Sequence, residues 1–186
     1  MKVQDVMTRS VVTCGAEDSL HDAARTLWER DLGCLVVVGN DGRPMAMLTD
    51  RDICMAAFTT GKPLHELRVA GAMSKQVTTC RASEDTAAVA TRMGKHGVRR
   101  LPVLDASGNL VGIVGLGDLA AAASREPAAK VTGAAGEALR TLATITAPRQ
   151  APASGTAVGT RAAAAQPEAL VVHASPAKGA GPANPG

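Results

Sequence analysis

Aromatic side chains are almost absent from this sequence. Of its 186 residues only Trp28 and Phe58 are aromatic, and there is no tyrosine. The apolar fraction of 46% is large enough for a real core, which must therefore be built from aliphatic side chains. The shortage of aromatics also argues against binding of single-stranded nucleic acid, which depends on bases stacking on aromatic rings.

A strong charge imbalance and long apolar runs are also missing. The net charge is +3, and the whole excess lies after residue 126, because residues 1–126 contain 15 basic and 15 acidic side chains. A segment without net charge lacks the broad basic surface that typically binds DNA or RNA. No apolar run approaches the ~20 residues of a membrane helix. The start of the chain lacks the pattern of a signal peptide, so we expect no membrane association and a cytoplasmic location.

Paired cysteines and catalytic motifs are absent as well. The four cysteines form no CxxC pair, which favours a reduced cytoplasmic setting. The sequence contains no nucleophile elbow, Walker A loop, GxGxxG or HExxH, and it therefore predicts a protein that is not an enzyme. No Cys/His spacing indicates a metal site, and Cys14 and Cys80 are interpreted as small buried apolar residues. A metal sensor or a redox-sensing thiol remains a distant alternative.

What the first 125 residues do contain is an internal repeat. When the sequence is shifted by 66 residues it matches itself without a gap through two loops. The matched pairs include Val3/Val69, Met7/Met73, Val11/Val77, Cys14/Cys80, Leu35/Leu101, Val37/Val103, Gly42/Gly108 and Asp52/Asp118. We interpret this register as the duplication of one unit, with a first copy at residues 1–60 and a second at 67–125.

Each copy predicts an α+β unit with the order β-α-β-β-α. Residues 17–19 are typical of a helix start, and the helix that follows is predicted to run to about Arg30, with Gly33 ending it. The predicted strands are 11–13, 34–38 and 45–48 in the first copy and 77–79, 101–104 and 110–114 in the second; the predicted helices are 20–30, 50–58, 85–96 and 116–123. A single copy of about 55 residues buries too little surface to be stable alone. We therefore expect the two copies to pack sheet against sheet as a pseudo-twofold pair.

The composition changes near Arg125. Residues 126–186 are rich in Ala, Gly, Pro, Thr and Ser, which predicts a flexible, largely disordered tail. A short helix at 134–145 is compatible with the spacing of its leucines, and the apolar residues 170–172 are too few to anchor a domain. The alternative is a segment that becomes ordered when it binds a partner.

With the repeat established, the sequence resembles the CBS-domain pair, or Bateman module. The resemblance covers about residues 2–123 and rests on the duplication and on the segments VQDVM (3–7), VVTC (11–14), LVVVGNDGRPMAMLTDRDI (35–53) and VRRLPVLDASGNLVGIVGLGDL (98–119). In detail it is most similar to small stand-alone bacterial two-repeat proteins, including the hypoxic-response class. The resemblance implies a module that binds an adenosyl ligand between the repeats: AMP, ADP, ATP, NADH or S-adenosylmethionine. It also implies a homodimer formed through the helices.

The resemblance assigns a ligand role to Thr49 and Asp52, at the end of the second hairpin strand. In the family, an Asp three residues after a Thr or Ser accepts hydrogen bonds from the ribose, and the hydroxyl and helix N-terminus face the phosphate. The chemistry agrees, because a carboxylate can accept two hydrogen bonds from a cis-diol and a helix start offers free N–H groups. Arg51 adds a cation beside them. The alternative is that Thr49 or Asp50 only caps the following helix.

The second copy departs from this pattern. Asp118 keeps the ribose position, but Gly115 replaces the threonine and Gly117 the arginine, so we expect the first site to be the more complete one. Arg99 and Arg100 precede the strand that lines the cleft in the family, and they are candidate phosphate ligands; the alternative is that they face solvent or pair with nearby carboxylates.

The sequence therefore predicts a non-enzymatic regulatory protein that binds an adenosyl ligand, with no obligatory cofactor and a regulated protein partner that it does not name. The alternative is a homodimeric scaffold that has lost its ligand and acts through its surface or its tail.

Overall fold

Each copy folds into the predicted order of strand, helix, strand, strand and helix. The computed structural model describes residues 1–125, 141–143 and 171–173. The first repeat contains β1 (Val11–Gly15), α1 (Leu20–Glu29), β2 (Cys34–Val38), β3 (Pro44–Thr49) and α2 (Asp50–Thr60). The second contains β4 (Cys80–Arg81), α3 (Thr86–His96), β5 (Arg100–Leu104), β6 (Leu110–Gly115) and α4 (Leu116–Ser124). Short 3-10 helices occupy Val3–Asp5, Leu64–Glu66 and Val69–Gly71. The predicted α+β class and the duplicated unit are confirmed.

The strands form two sheets, one for each repeat. In each sheet the hairpin (β2–β3 or β5–β6) is antiparallel, and the first strand of the repeat lies parallel to the hairpin's first strand. In the first sheet a further strand, β7 (Val171–His173), runs parallel to β1 on its outer edge, which gives the order β3-β2-β1-β7. β7 was not expected from the sequence. Of the helix predicted at 134–145, only residues 141–143 are described, and they are helical.

The core is aliphatic, as predicted. Each repeat has its own cluster of buried Val, Leu, Ile, Met, Ala and Cys side chains. A third cluster joins the two sheets: Val11, Val36 and Val38 of the first repeat meet Leu110 of the second. This sheet-against-sheet contact is the expected pseudo-twofold pairing, and it buries apolar strand faces that a single repeat would leave in water.

The segment that leads into each repeat packs on the other repeat. We call residues 2–8 the first lead-in and residues 68–74 the second. The first lead-in hydrogen-bonds to residues 82, 84 and 113, and the second hydrogen-bonds to residues 16, 18 and 47, so the two sets match after the 66-residue shift. Val3 is fully buried in the core of the second repeat, and Val69 is fully buried in the core of the first. The packing of the two repeats therefore interlocks across the predicted boundaries at residues 60 and 67.

Two local predictions were wrong. Residues 77–79 do not form a strand, and β4 begins only at Cys80. In the first repeat the corresponding residues pair with β7, and Thr13 pairs with Val36 as well. In the second repeat the pairing with β5 begins only at Cys80, since Thr79 would stand opposite Pro102, which has no N–H to donate, and the Thr79 carbonyl accepts a hydrogen bond from Arg92 instead. The helix α1 ends at Glu29, before Gly33, and Asp31 takes the left-handed conformation (φ 50°) just after it.

Within the described residues, no helix has both the length and the apolar character needed to cross a bilayer.

Candidate functional site

Thr49 and Asp52 form a reciprocal cap at the junction of β3 and α2. The Thr49 backbone N–H and hydroxyl both donate to Asp52 Oδ2, at 2.9 and 2.6 Å, and the Asp52 N–H donates to Thr49 Oγ1 at 3.2 Å. This is a capping box, which satisfies orphan N–H groups at the start of a helix. The capping interpretation of these residues is therefore confirmed. It does not exclude ligand binding, because all of these bonds use one carboxylate oxygen and leave Oδ1 without a partner among the described residues.

The equivalent junction of β6 and α4 in the second repeat has fewer polar groups. The Gly115 N–H donates to Asp118 Oδ2 at 2.7 Å, as Thr49 does to Asp52, but no hydroxyl is present at this position. One N–H at the start of α4, that of Leu116, donates to the Arg99 carbonyl at 2.9 Å. At the start of α2 two N–H groups are likewise engaged, because those of Arg51 and Asp52 donate to Asp50 Oδ1 and Thr49 Oγ1. The second repeat therefore differs from the first here by its missing hydroxyl and not by a smaller number of available N–H donors.

Arg100 reaches from the second repeat into the first. Its backbone pairs with Gly115 at the end of β6, and its Cγ lies 3.6 Å from where a β-carbon on Gly115 would stand. Its guanidinium crosses the pseudo-twofold axis, so that Nη1 lies 3.7 Å from where a β-carbon on Gly33 would stand. Both distances are those of ordinary van der Waals contact, so the arginine packs against one glycine of each repeat. Because Cys34 pairs with Thr49 across the first hairpin, the guanidinium lies next to the strand end that carries Thr49.

Burial and three charged neighbours shift the pKa of the Cys34 thiol. Burial raises the pKa of this thiol, and the Asp50 carboxylate raises it further. The Arg100 guanidinium lowers the pKa by its charge and by a hydrogen bond to the thiol, and the charge of Arg99 lowers it as well. The thiol therefore lies within the electrostatic reach of two arginines and one carboxylate. We refer to this region, where the ends of β3 and β6 meet the start of β5, as the inter-repeat junction.

The inter-repeat junction brings together most of the predicted site residues. Asp52, Asp118 and Arg100 border it, and the three arginines of the predicted site, Arg51, Arg99 and Arg100, are all exposed. The position of Cys34 beside Arg100 and the reach of Arg100 into the first repeat were not predicted from the sequence. The repeat alignment contained the signal, because Cys34 and Arg100 are equivalent positions, and residues next to a pseudo-twofold axis meet their own equivalents.

Cys14 and Cys80 agree with their interpretation as small buried residues with unreactive thiols. Burial raises the pKa of Cys14 to about 12 and that of Cys80 to about 11. Cys34 is half-buried and Cys54 is exposed. Among the residues that the structure describes, no group of three or more His, Cys, Asp and Glu side chains is placed to hold a metal ion.

The fold defines a class of paired β-α-β-β-α modules that pack sheet against sheet. The family model for the CBS domain matches residues 3–58 and 68–125, and the chain belongs to the CBS-domain family.

Relatives share the paired arrangement. Hypoxic response protein 1 of Mycobacterium tuberculosis is 32% identical over 117 residues, which is 63% of this chain and 81% of that protein. Its crystal structure, described with two coordinated zinc ions, matches with a TM-score of 0.58 over 64% of this chain and 97% of that one. The CBS domain pair of MJ0100, in complex with 5'-methylthioadenosine and S-adenosyl-L-methionine, matches at 26% identity and a TM-score of 0.57 over 64% of this chain and 96% of that one. CBSX2 in complex with AMP matches at 26% identity and a TM-score of 0.57 over 66% of this chain and 95% of that one.

Proposed function

We propose that this protein is a non-enzymatic regulatory CBS-pair protein that binds an adenine nucleotide or another adenosyl ligand at the inter-repeat junction. Two structural relatives hold AMP, S-adenosylmethionine or methylthioadenosine. AMP, ADP, ATP, NADH and S-adenosylmethionine are the candidate ligands for this chain. Ligand binding would regulate through its differential affinity for two states of the protein or of its complexes.

Asp52 and Asp118 supply the ribose contacts in this proposal. Asp52 Oδ2 is held by Thr49, so the carboxylate has a fixed orientation and its second oxygen is available to a ribose hydroxyl. A charge-assisted hydrogen bond of this kind is stronger than a neutral one. Asp118 has the same orientation through Gly115 and serves a second, weaker site.

The observation that carries the proposal is the crossing of Arg100. A guanidinium that lies beside the Thr49 strand end supplies the cation that the first repeat lacks at its own equivalent position, Cys34. Beside the positive end of the α2 dipole it forms an environment suited to a phosphate, and the exposed Arg99 and Arg51 add positive charge around it. The ribose acceptor comes from one repeat and the cation from the other, so the ligand would join the two repeats.

The finer features of the proposal concern assembly and location. A homodimer and a regulated protein partner are proposed by analogy with the family. A cytoplasmic location is proposed too, and it is supported by the four free cysteines within the described residues.

A specific observation favours a second candidate, a homodimeric scaffold without a ligand. The second corner has lost both its hydroxyl and its arginine, as Gly115 and Gly117 show. A metal-sensing function is favoured only by the zinc ions in the structure of hypoxic response protein 1.

Thermal unfolding of the full chain with each candidate ligand at about 1 mM tests the proposal. A ligand present at ~100 times its dissociation constant adds about 2.7 kcal/mol, which shifts the midpoint by several degrees. A shift with one adenosyl ligand, lost in Arg100→Ala and kept in the surface control Arg125→Ala, supports the proposal. No shift with any of the five ligands contradicts it and favours the scaffold.

A further inference from the structure

The C-terminal tail contributes one strand to the first sheet. This strand, β7, pairs in parallel with β1 through the partners Val11/Val171, Val12/Val172 and Thr13/His173. It lies on the outer edge of the sheet, where β1 is its one neighbour among the described strands. An element of three residues that is held by a single neighbour opens at a low free-energy cost. β7 can therefore leave the sheet while the rest of the fold stays intact.

The contact between β7 and β1 is made along the backbone edge of β1. Both faces of β1 are covered without β7, since Val11 and Thr13 are buried and Val12 packs, partly buried, against the core of the first repeat. The other edge of β1 pairs with β2. What β7 adds is a row of backbone hydrogen bonds, which is how an extended peptide adds to a sheet.

The sequence of β1 lacks the features that usually block a strand edge. Natural edge strands carry charged side chains, prolines or bulges that prevent pairing with another chain. Residues 11–13 are Val, Val and Thr, without charge or proline, and β-branched residues of this kind favour strand pairing. Without β7, this edge would offer its backbone donors and acceptors to any extended segment. We call the outer edge of β1 at residues 11–13 the docking edge.

The second repeat does not offer an equivalent edge. Residues 77–79 match the docking edge after the 66-residue shift, but they form no strand, and β4 contains only two residues. The Arg92 guanidinium donates a hydrogen bond to the Thr79 carbonyl at 2.8 Å. Thr26 stands at the position of Arg92 in the first repeat, and its hydroxyl donates to a carbonyl of its own helix instead. Within the described residues, the docking edge is therefore a feature of the first repeat alone.

The docking edge begins at the end of the first sheet that borders the inter-repeat junction. The register of the parallel pair β1–β2 sets Val11 beside Cys34, and Cys34 pairs with Thr49 across the hairpin. Val11 also pairs with Val171, so one row crosses the sheet from the tail strand to the proposed ligand site. Three strand spacings separate the ends of this row, which is about 14 Å.

We propose that the docking edge is the surface on which this protein binds its partner, and that β7 occupies the edge until the partner replaces it. The partner presents an extended segment rich in β-branched apolar residues, as Val171 and Val172 are, and this segment pairs with β1 in parallel. The inference rests on the regulated protein partner proposed above and assigns that partner a surface. A tether raises the local concentration of a segment less as the tether becomes longer. Because residues 126–170 form a long tether, a partner segment with more paired residues displaces β7.

Amide hydrogen exchange of the ¹⁵N-labelled full chain tests whether β7 holds the docking edge. The variant Val171→Pro/Val172→Pro removes two successive N–H groups, one of which points towards β1, and so breaks the pairing. The N–H groups of β1 that face β7 should then exchange about tenfold faster, as expected for the loss of one hydrogen bond. Those that face β2, and those of β6 in the other sheet, should keep their protection. The control Ala163→Pro/Ala164→Pro places the same two prolines elsewhere in the tail and should change none of these rates.

Titration with a peptide tests whether the docking edge accepts a segment of another molecule. The probe is the synthetic peptide EALVVHAS, the sequence of residues 168–175, added at millimolar concentration to the ¹⁵N-labelled proline variant of β7. It should shift the amide resonances of residues 11–13 and restore their slow exchange, whereas the same peptide with proline in place of both valines should do neither. The wild type should bind EALVVHAS more weakly than the variant, because its own β7 holds the edge.

The outcomes separate this inference from the proposed function. Unchanged exchange of β1 in Val171→Pro/Val172→Pro would show that β7 does not hold the docking edge, and it overturns the inference. Peptide binding that is absent from this variant, or equal in variant and wild type, overturns it as well. Each of these results leaves the adenosyl ligand untouched, because thermal unfolding of the wild type measures ligand binding without the peptide.

Discussion

The interlocked lead-ins make a quantitative prediction for Val69. This residue belongs by sequence to the second repeat, yet its side chain is fully buried in the core of the first. Val69→Ala removes two buried carbons, which forfeits about 1.6 kcal/mol of transfer free energy at ~0.8 kcal/mol for each. The space left behind adds about 1 kcal/mol where the surroundings cannot collapse. We therefore expect the free energy of unfolding to fall by about 2–3 kcal/mol.

Urea denaturation of the full chain measures this loss, with the slope of the unfolding free energy against urea unchanged if only stability is affected. Val3→Ala, at the equivalent position of the first lead-in, should cost a similar amount because Val3 is fully buried in the other core. Val77→Ala is the matched control, since Val77 is only partly buried and lies outside the three core clusters; we expect a loss below about 1 kcal/mol. A Val69→Ala loss no larger than that of Val77→Ala would refute the interlocked packing.

Two further predictions follow from the titrating groups. The Glu84 carboxylate accepts hydrogen bonds from the Arg92 guanidinium, which holds the pKa of Glu84 below its ordinary value of 4.5. This stabilisation is present above pH 4.5 and is lost as the pH falls through the lowered pKa. Glu84→Gln should therefore lower the free energy of unfolding at pH 7, and the difference between variant and wild type should shrink as the pH falls below 4.5. An equal difference in acid and in neutral denaturation curves would contradict this prediction. A thiol reagent at neutral pH should label exposed Cys54 rapidly, and Cys14 and Cys80, whose pKa values burial raises to about 12 and about 11, only after unfolding. Rapid labelling of either buried thiol in the folded protein would show that the described burial is wrong.

The duplication allowed most of the fold to be predicted from sequence. The 66-residue register, the turns and the apolar strands fixed the order of elements in both repeats, and the shortage of aromatics indicated an aliphatic core. The register could not say whether Val3 and Val69 pack on their own repeat or on the other, because both arrangements give the same pattern. It also could not predict β7, since three residues gain strand structure here only by pairing with the edge of β1.

The site was predictable in part. The spacing of Thr49 and Asp52 predicted either a cap or a ligand corner, and the cap is present in the structure. The sequence could not place the Arg100 guanidinium beside Cys34, because that contact depends on how the two repeats pack against each other. Long side chains at a pseudo-twofold axis are set by tertiary packing, which local patterns do not encode.

The most direct test of the central claim is a calorimetric titration of the adenosyl ligand that gives the largest thermal shift. The full-length wild type should be compared with Asp52→Asn and Asp118→Asn. The asparagine at position 52 keeps the size of the side chain and an oxygen that can still accept from Thr49, but it loses the charge that strengthens a ribose hydrogen bond. We predict that Asp52→Asn raises the dissociation constant about 10- to 100-fold, equivalent to ~1.4–2.7 kcal/mol, and that Asp118→Asn has a smaller effect. Equal affinity in wild type and Asp52→Asn would contradict a ligand site at the inter-repeat junction.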